Sequence, residues 1–476
     1  MHSRSRLTLA VLVALATLPA VASAKPYRAT DPLRISGPSP FAGGCPGSAF
    51  DDTHITGQEL EPSITVNRAD KRNIVAAWKQ DVGPRGDRAD LTAASLDGGR
   101  TWTRNTIPGL SKCTGGDADG ASDPWVTSDK GGTVYFAGLQ PVEMGQVGDP
   151  PSAVGASHSF DGGRTWTTPA TVASRHQGVE TPSITGSPKR AGTAYTVWAD
   201  FAFANILFSR TTNHGVTWSP SVLVDQPGPT ALDVSPRMAA LLNGTLVTVF
   251  GRVDFATGLG GLFSARSRDG GRTWEPAVQL TSKPIETFAD PETDEELPQP
   301  QFENVAVAPD GTVYVTVEAN LSATQGVIAV SKSRDGGRTW STSTLPGVGG
   351  YAFEPAVAVD SKGTVGITWY DLRNDVPGDA ALSGDVWFAS SKDRGASWSQ
   401  IHVAGPTDLR SGALARQNRF GEYQGLSPIG REGFAAIFTL ASPQATDGPT
   451  DIFFSRIARG KGHHGKRSVA WGPAAG

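Results

Sequence analysis

Acidic residues recur along this chain at the start of short β-branched or aromatic segments, as in EPSITV at 61–66. Carboxyl groups that meet in pairs can act as general acid and general base. The recurring acids are Glu61, Asp123, Glu180, Asp233, Glu303, Glu354 and Glu422. Because each begins one unit of a repeated pattern, we expect them to gather at one end of the folded units. There they either accept hydrogen bonds between neighbouring units, which their repetition favours, or take part in catalysis.

Arginine and tyrosine residues interrupt this pattern and are therefore more informative than the repeated acids. Arg237 follows Asp233 closely, and a planar guanidinium can hold a substrate carboxylate through two hydrogen bonds. The candidate catalytic residues are Tyr423, Glu422, Arg419, Arg237, Arg373, Tyr370, Glu354 and Asp371. The acids expected to surround the mouth of a central channel are Glu61, Asp123, Glu180, Asp233 and Glu303.

A second repeat, S/T-x-D/N-x-G-x-S/T-W, occurs six times, and its copy SRDGGRTW is identical at 267–274 and 333–340. In such a box the Asp or Asn can accept hydrogen bonds from the backbone just ahead, while Gly supplies a positive φ. The Asp and Asn residues of the six boxes are Asp97, Asp161, Asn213, Asp269, Asp335 and Asp393. Because a catalytic site occurs once, six copies predict structural turns.

The boxes recur every 52 to 66 residues, which is the period of an array of small units. Around the first box, four short segments have the composition of antiparallel strands: EPSITV, NIVAAW, LTAAS and TRNTI. Four-stranded units repeated in a ring predict an all-β fold, a β-propeller. The count of first strands favours seven blades within residues 60–457, with six blades as the alternative. The seventh unit lacks a fourth strand, which the N-terminal arm (25–59) can supply.

The direction of the strands predicts which face carries the function. The boxes connect third to fourth strands, so they lie on the face of the first-to-second turns. The repeated acids and the longest loops fall on the opposite face, and active sites on rigid β scaffolds are usually built from such loops. We therefore expect the functional site on the face opposite the boxes.

The N-terminal segment has the features of an export signal. Arg4 and Arg6 precede the apolar run LTLAVLVALATL, and a small-residue cleavage site ends at Ala24. These features predict removal of residues 1–24 and a secreted or periplasmic mature chain. Cys45 and Cys113 are the two cysteines, and an oxidising compartment would allow them to form a disulfide. No other segment is long enough to span a membrane.

Charge and composition narrow the range of partners. The formal net charge is −4, which argues against nucleic-acid binding by bulk electrostatics. The tail (458–476) is basic and Gly-rich and is predicted to be disordered. The acidic segment 286–301 could bind calcium through oxygen ligands, but it lacks the spacing of a calcium-binding loop. We expect no cofactor, no metal and a monomeric protein.

The six boxes closely resemble the Asp-box, or bacterial neuraminidase, repeat of the sialidase superfamily, over residues 60–457. The resemblance implies three arginines that hold a sialic acid carboxylate, a Tyr nucleophile activated by Glu, and an Asp acid/base. Arg237, Arg373 and Arg419 can supply the arginines, and Tyr423 beside Glu422, or Tyr370 near Glu354, can supply the pair. The R-I-P motif of the family is missing, because Ile35 is followed by Ser36. Seven blades would also depart from the six of sialidases.

Two functional hypotheses follow. The first, which we favour, is a secreted glycan-directed glycoside hydrolase similar to exo-α-sialidases. The alternative is a noncatalytic propeller that binds glycan or protein at the cell surface. Two carboxyl groups at ~5–5.5 Å or ~6.5–9.5 Å would suit hydrolysis with retention or inversion. Three arginines beside a Tyr would suit a sialidase, and an even acidic ring would suit the binding module.

Overall fold

The computed structural model describes most of the chain between residues 26 and 471. The described ranges are 26–51, 54–84, 86–142, 151–176, 178–284, 288–290, 292–293, 296–297, 303–322, 325–411, 420–431, 433–442, 447–460 and 468–471. The export signal (1–24), Arg419 and most of the acidic segment 286–301 lie outside the described residues. No helix in the described ranges has the length and apolar character needed to cross a membrane.

Seven antiparallel sheets form the blades of a ring. The innermost strands are β3 (Glu59–Val66), β7 (Ser122–Ser128), β11 (Val179–Gly186), β15 (Ala231–Ala240), β22 (Asn304–Val307), β26 (Ala352–Val359) and β30 (Gly425–Pro428). The second strands are β4 (Ile74–Gln80), β8 (Val134–Pro141), β12 (Ala194–Asp200), β16 (Leu246–Asp254), β23 (Val313–Ser322), β27 (Val365–Asp371) and β31 (Gly433–Ala441). The seven-bladed propeller predicted from the sequence is confirmed, and the six-bladed alternative is wrong.

The outer half of each blade completes the four-stranded meander. The third strands are β5 (Ala89–Ser95), β9 (Ser152–Ser159), β13 (Asn205–Thr211), β17 (Leu259–Ser267), β24 (Gln325–Ser333), β28 (Ser383–Ser391) and β32 (Thr450–Arg459). The outermost strands of the first six blades are β6 (Thr101–Thr106), β10 (Ala170–His176), β14 (Val222–Asp225), β18 (Val278–Gln279), β25 (Ser341–Thr344) and β29 (Ser399–Asp408). Further short elements are β19 (Lys283–Pro284), the hairpin of β20 (Phe288–Ala289) and β21 (Glu296–Leu297), and the 3₁₀ helices Lys112–Thr114 and Leu409–Ser411.

The N-terminal arm supplies the outer strand of the seventh blade. Strands β1 (Tyr27–Ala29) and β2 (Leu33–Arg34) pair antiparallel with β32. The seventh sheet therefore contains strands from the N-terminal arm and from the last repeat. The Arg34 Nε lies 2.5 Å from Asp451 Oδ1. A disulfide between Cys45 and Cys113, 68 residues apart, joins the rest of the arm to the segment after β6.

The predicted disorder of the tail does not hold for Ser468–Trp471. These four residues form β33, which pairs in parallel with β6 at the outer edge of the first blade. The sequence SVAW combines a β-branched and an aromatic residue, and an edge strand such as β6 offers unpaired backbone groups to an additional strand. Because the surrounding tail is basic and Gly-rich, the sequence did not predict this short strand.

Each box forms a turn held by its acidic side chain. In the first box, Asp97 Oδ1 accepts hydrogen bonds from the backbone of Arg100 and Thr101 at 3.0 Å, and Oδ2 accepts one from the Thr101 hydroxyl at 2.7 Å. Four cations then donate to a box backbone in the next blade: Arg210 to Gly270, Arg266 to Asp335, Lys332 to Arg394 and Arg456 to Gly98. The boxes therefore connect neighbouring blades as well as strands.

Candidate active site on the propeller axis

A kink near the start of the inner strand recurs in five blades. In the first blade, Leu60 pairs with Lys79 and Ser63 with Ala77, so two residues, Glu61 and Pro62, stand opposite one. This is a β-bulge, which re-aims the side chain it carries. The kink residue in each of the five blades has a positive φ, between 47° and 57°: Glu61, Asp123, Thr181, Ser235 and Glu354. Non-glycine residues in this conformation store strain of order 1–3 kcal/mol and cluster at functional sites.

The acids expected to surround the channel mouth do not occupy equivalent places along their inner strands. Glu61, Asp123 and Glu354 lie at the kink, whereas Glu180 and Asp233 precede it by one and two residues. Each shift along the strand reverses the face on which a side chain lies. Asp233 instead pairs with Arg252 of its own blade, with 2.6 Å between Oδ1 and Nε, and burial raises the pKa of Asp233 to about 7.

Lys79 joins two of the kink carboxylates across the boundary between the first and second blades. Its Nζ lies 2.7 Å from Glu61 Oε2 and 2.9 Å from Asp123 Oδ1. The two oxygens are therefore at most 5.6 Å apart, the sum of the two contacts. All three residues are buried, with 2% of Glu61 and 9% each of Lys79 and Asp123 exposed. This places a compact, charged group at the centre of the ring.

The surroundings separate the pKa values of these two carboxyl groups. Burial raises the pKa of Glu61 to about 8, against the effect of Lys79 and with a contribution from the charge of Glu422. Burial also disfavours ionised Asp123, but the charge and hydrogen bond of Lys79 lower the pKa of Asp123 below its usual value. At neutral pH the pair therefore consists of a protonated Glu61 and an ionised Asp123. Carboxyl groups with pKa values pushed apart are the arrangement that assigns acid and base roles.

An aromatic and cationic layer lies next to this pair. The Cζ of Arg237 is 4.4 Å from the centre of the Trp125 ring and 5.3 Å from that of Tyr423, within the range of cation–π attraction. The Tyr423 hydroxyl donates to the carbonyl of Pro124 at 3.3 Å. Burial, followed by the charges of Glu61 and Asp123, raises the pKa of Tyr423 well above its usual value. The phenol is thus held in its protonated form. We call Glu61, Lys79, Asp123, Arg237, Trp125 and Tyr423 the axial cluster.

A model of the BNR repeat-like domain matches residues 72–345, which is more than half of the 476 residues. The chain belongs to the BNR repeat-like domain family. No curated protein matches the sequence. The family assignment agrees with the six boxes, each of which forms the turn between third and fourth strands of one blade.

Three solved structures are similar to this BNR repeat-like protein to different degrees. A protein of unknown function from Dyadobacter fermentans DSM 18053 is 14% identical, with a TM-score of 0.50, over 91% of this chain and 99% of that chain. An α-L-arabinanase from Penicillium chrysogenum, complexed with arabinobiose, is 13% identical, with a TM-score of 0.48, over 90% and 98% of the two chains. The Hadza microbial sialidase Hz136 is 16% identical, with a TM-score of 0.45, over 81% and 76%. At 14% identity, the similarity to the Dyadobacter protein shows a shared fold and nothing about function.

Further buried acids lie near the axial cluster of the BNR repeat-like propeller. Burial raises the pKa of Glu303 to about 8, against the effect of Arg237. Burial, followed by the charges of Glu61 and Glu318, raises the pKa of Glu354 well above its usual value. Glu422 acts on both Glu61 and Glu354 through its charge. Glu303 and Glu354 are therefore held largely in their neutral form at neutral pH.

Three of the predicted catalytic residues have structural contacts away from the axial cluster. The Tyr370 hydroxyl is buried, donates to the Thr439 carbonyl at 2.8 Å and accepts from the Thr439 N–H at 2.9 Å, which ties the sixth blade to the seventh. Arg373 Nη2 lies 2.5 Å from Asp371 Oδ2, and its Cζ lies 3.9 Å from the centre of the Trp387 ring. Asp371 also accepts from the indole of Trp369 at 2.9 Å. Contacts within the sixth blade hold Arg373 and Asp371, and contacts with the seventh blade hold Tyr370. Their catalytic role stays a prediction.

The sequence analysis missed Lys79 and Trp125. Lys79 follows the apolar segment NIVAAW directly and lies within the buried strand β4. A lysine in a strand whose other residues are buried needs a partner, and that signal could have pointed to it. Trp125 carried no such signal, because it lies outside every box.

Two observations limit the chemistry of the site. Among the described residues, no group of three or more His, Cys, Asp or Glu side chains is arranged to hold a metal ion. The segment that contains Gly421 packs over the cluster, since a Cβ on Gly421 would lie 2.6 Å from the Glu61 Cγ. A substrate must therefore displace this segment to reach Glu61.

Proposed function

We propose that this protein is a glycoside hydrolase whose acid/base is Glu61 and whose nucleophile or stabilising anion is Asp123, at the end of the propeller axis opposite the boxes. The observation that carries the proposal is the Lys79 bridge, which holds two carboxyl oxygens at most 5.6 Å apart. Glycosidases that retain configuration place their two carboxyl groups ~5–5.5 Å apart, and inverting ones ~6.5–9.5 Å apart. The spacing favours retention.

The two pKa shifts assign a role to each carboxyl group. Glu61, with its pKa raised to about 8, carries the proton that a leaving-group oxygen needs. Asp123, with its pKa lowered, is the anion that attacks or stabilises the oxocarbenium-like centre. After Glu61 has donated this proton, its carboxylate accepts a proton from water in the second step, and the water oxygen displaces Asp123 from the sugar. The rate of the proposed glycoside hydrolysis therefore falls above about pH 8, because Glu61 loses its proton there.

A sialidase-like version of this function is favoured by Tyr423 and Arg237, which lie together beside Glu61. In that version Tyr423 is the nucleophile and the ionised form of Glu61 receives its proton, as the resemblance to sialidases implies, so this activity would require Glu61 to lose its own proton first. A noncatalytic glycan-binding role is favoured by the coverage of the cluster by the Gly421 segment. These alternatives predict different results for the same set of variants.

The test is the hydrolysis of fluorogenic glycosides, an α-sialoside and an α-L-arabinofuranoside among them, by protein that begins at Lys25. We expect Glu61→Gln and Asp123→Asn each to lower kcat by about 10²–10⁴-fold, while Glu180→Gln, an acid outside the axial cluster, retains activity. Loss of sialoside turnover in Tyr423→Phe as well would support the sialidase version. If a folded wild-type protein binds glycans in calorimetry but hydrolyses none, the hydrolase proposal is wrong.

A further inference from the structure

A channel enters the propeller axis from the box face, at the opposite end from Glu61 and Asp123. Its volume is about 520 Å³, within the range of ligand pockets, roughly 300–1,000 Å³. The inner strands of the blades form its wall, and Trp125 and Arg237 lie at its inner end. Hydroxyl groups line the wall: Ser63, Thr65, Thr127, Thr185 and Ser427.

The hydroxyls of the wall differ in how they are satisfied within the protein. Thr185 donates to the Met238 carbonyl at 2.7 Å, and Ser427 accepts from the Val66 N–H at 2.9 Å. Ser63 is 3% exposed, and its buried Oγ makes no hydrogen bond to any part of the protein that the structure describes. Buried hydroxyl groups usually have a partner, so the wall of the channel includes one polar group that the protein itself does not satisfy.

The turns that surround the mouth of this channel are strongly cationic. They connect the first and second strands of the seven blades, and their described residues include eight exposed cations: Arg68, Lys71, Arg72, Lys130, Lys189, Arg190, Lys362 and Arg431. Three of these, Arg68, Lys71 and Lys130, line the channel itself. This concentration of positive charge occurs in a chain whose net charge is −4, so the axis has a cationic end on the box face.

The acids of the same turns do not neutralise the mouth. Asp70 pairs with Arg72 at 3.1 Å, and Asp310 pairs with Arg394, from a box, at 3.0 Å. Asp129 and Asp360 are buried and accept hydrogen bonds from the backbone of their own turns. Glu432 lies outside the described residues. In the described structure, the other seven cations have no ion pair with a carboxylate, so their field faces solvent and would attract an anion.

Two of the cations also act on each other. Partial burial, followed by the nearby charge of Arg68, lowers the pKa of Lys71. Arg68 is anchored, since its Nε donates to the Ser128 carbonyl at 3.0 Å. An anion bound between these cations would relieve their repulsion.

We propose that this channel and its cationic mouth form a binding site for an acidic saccharide, one that carries carboxylate or sulfate groups. The mouth supplies the charge complementarity, and the hydroxyl-lined channel has the size and polarity for a sugar residue. Duplex nucleic acid is too wide to enter the channel and would contact the mouth alone. The channel reaches the axial cluster at Trp125 and Arg237, but saccharide binding there does not depend on whether Glu61 and Asp123 hydrolyse glycans.

The experiment is isothermal titration calorimetry of protein that begins at Lys25. The probes are a galacturonic acid hexamer, a heparin hexasaccharide, neutral maltohexaose and a 12-base-pair DNA duplex. We expect the two acidic saccharides to bind, with affinity that falls as salt rises, and maltohexaose not to bind. Binding of DNA as tight as that of the saccharides, or no binding of either acidic saccharide, would overturn the proposal.

Two variants separate the mouth from the rest of the box face. Lys71→Glu with Lys130→Glu should weaken binding of the acidic saccharides by about tenfold or more. Arg100→Glu with Arg164→Glu makes the same change of charge on exposed residues of two boxes and should leave affinity within about twofold. Equal losses in both double variants would refute a site at the mouth.

A third variant tests the channel. Ala306→Phe places a ring among the residues that line it and should weaken saccharide binding without altering the charge of the mouth. If Ala306→Phe, shown to be folded, binds the hexamers as tightly as wild type, the saccharide does not enter the channel and that part of the proposal is wrong.

Discussion

Lys79 of the first blade and Asp123 of the second form an ion pair across the boundary between blades, with 2.9 Å between Nζ and Oδ1. The side chains are only 11% and 12% exposed. Asp123 and Glu61 keep the pKa of Lys79 well above its usual value although burial opposes its charge. An ion pair so placed ties the two proposed catalytic carboxyl groups to the packing of the first blade against the second, since loss of either partner would leave a buried charge unpaired.

Replacement of Lys79 by Met should destabilise the protein strongly. The change leaves Asp123 as a buried carboxylate without its cation, and removal of one partner of a buried pair costs about 3–5 kcal/mol. We expect this loss in the free energy of unfolding in urea at pH 7, and a smaller loss near pH 5, where Asp123 can take up a proton. Lys130→Met, at an exposed turn, is the control and should stay within about 0.5 kcal/mol of wild type. Equal stability of both variants would contradict a buried pair.

Stability should fall as pH rises from about 4.5 to 8. Glu303 has its pKa raised by burial from 4.5 to about 8, so over this interval the folded state keeps a proton that the unfolded state has released. By linkage the free energy of unfolding decreases with pH until about 8 and then levels out. Glu303→Gln keeps the neutral form at every pH and should reduce this decrease by about 2–4 kcal/mol. Glu61 and Glu354 shift in the same direction and account for the remaining slope.

The control for this pH profile is Asp117→Asn, because the Asp117 side chain is 81% exposed. Denaturation curves at pH 5, 6, 7, 8 and 9 should superimpose for this variant and wild type. A Glu303→Gln profile as steep as that of wild type would show that Glu303 ionises freely in the folded protein.

Loss of the Cys45–Cys113 disulfide should lower stability by about 2–4 kcal/mol. The bond closes a loop of 68 residues that contains the whole first blade, and a loop of this size restricts the unfolded chain considerably. The double variant Cys45→Ser with Cys113→Ser should show this loss, and its stability should not respond to a reducing agent, whereas that of wild type should. No effect of reduction on wild type would contradict the prediction.

The box residue Asp269 should contribute to stability and not to activity. Its Oδ1 accepts from the backbone of Arg272 and Thr273 at 2.9 and 3.0 Å, so Asp269→Ala leaves two exposed N–H groups of the turn without this acceptor. We expect a loss of about 1–3 kcal/mol in the free energy of unfolding. Asp269→Asn should lose less, because Asn213 serves in the third box and accepts from the Thr217 N–H at 3.0 Å. A specific loss of glycoside turnover in stable Asp269→Asn would overturn the structural assignment.

The fold follows from local patterns in the sequence. The box carries its own turn chemistry, with Asp, Gly and Thr at fixed offsets, and its spacing sets the size of one blade. Strands of β-branched and aromatic residues fill the space between boxes, so the number of blades can be counted from their starts. The missing fourth strand of the seventh unit likewise indicates that the N-terminal arm has a place in the ring. All of these signals arise within segments of about ten residues.

The candidate site depends on relationships between blades that no local pattern contains. Tyr370 and Arg373 follow Glu354 closely in the sequence, yet their contacts are with Thr439, Asp371 and Trp387. The sequence distance between such groups therefore does not by itself decide which of them share a site.

The sequence by itself determined the architecture, since box turns and strand composition act over a few residues. Only the tertiary structure decided that Lys79 joins Glu61 to Asp123, and that Arg237 of the fourth blade covers Trp125 of the second. The physical reason is that the inner strands of all blades converge on one axis, where a β-bulge shifts the register and re-aims each side chain. Residues far apart in the chain meet there, and a shift of one residue in the strand register decides which side chains come into contact.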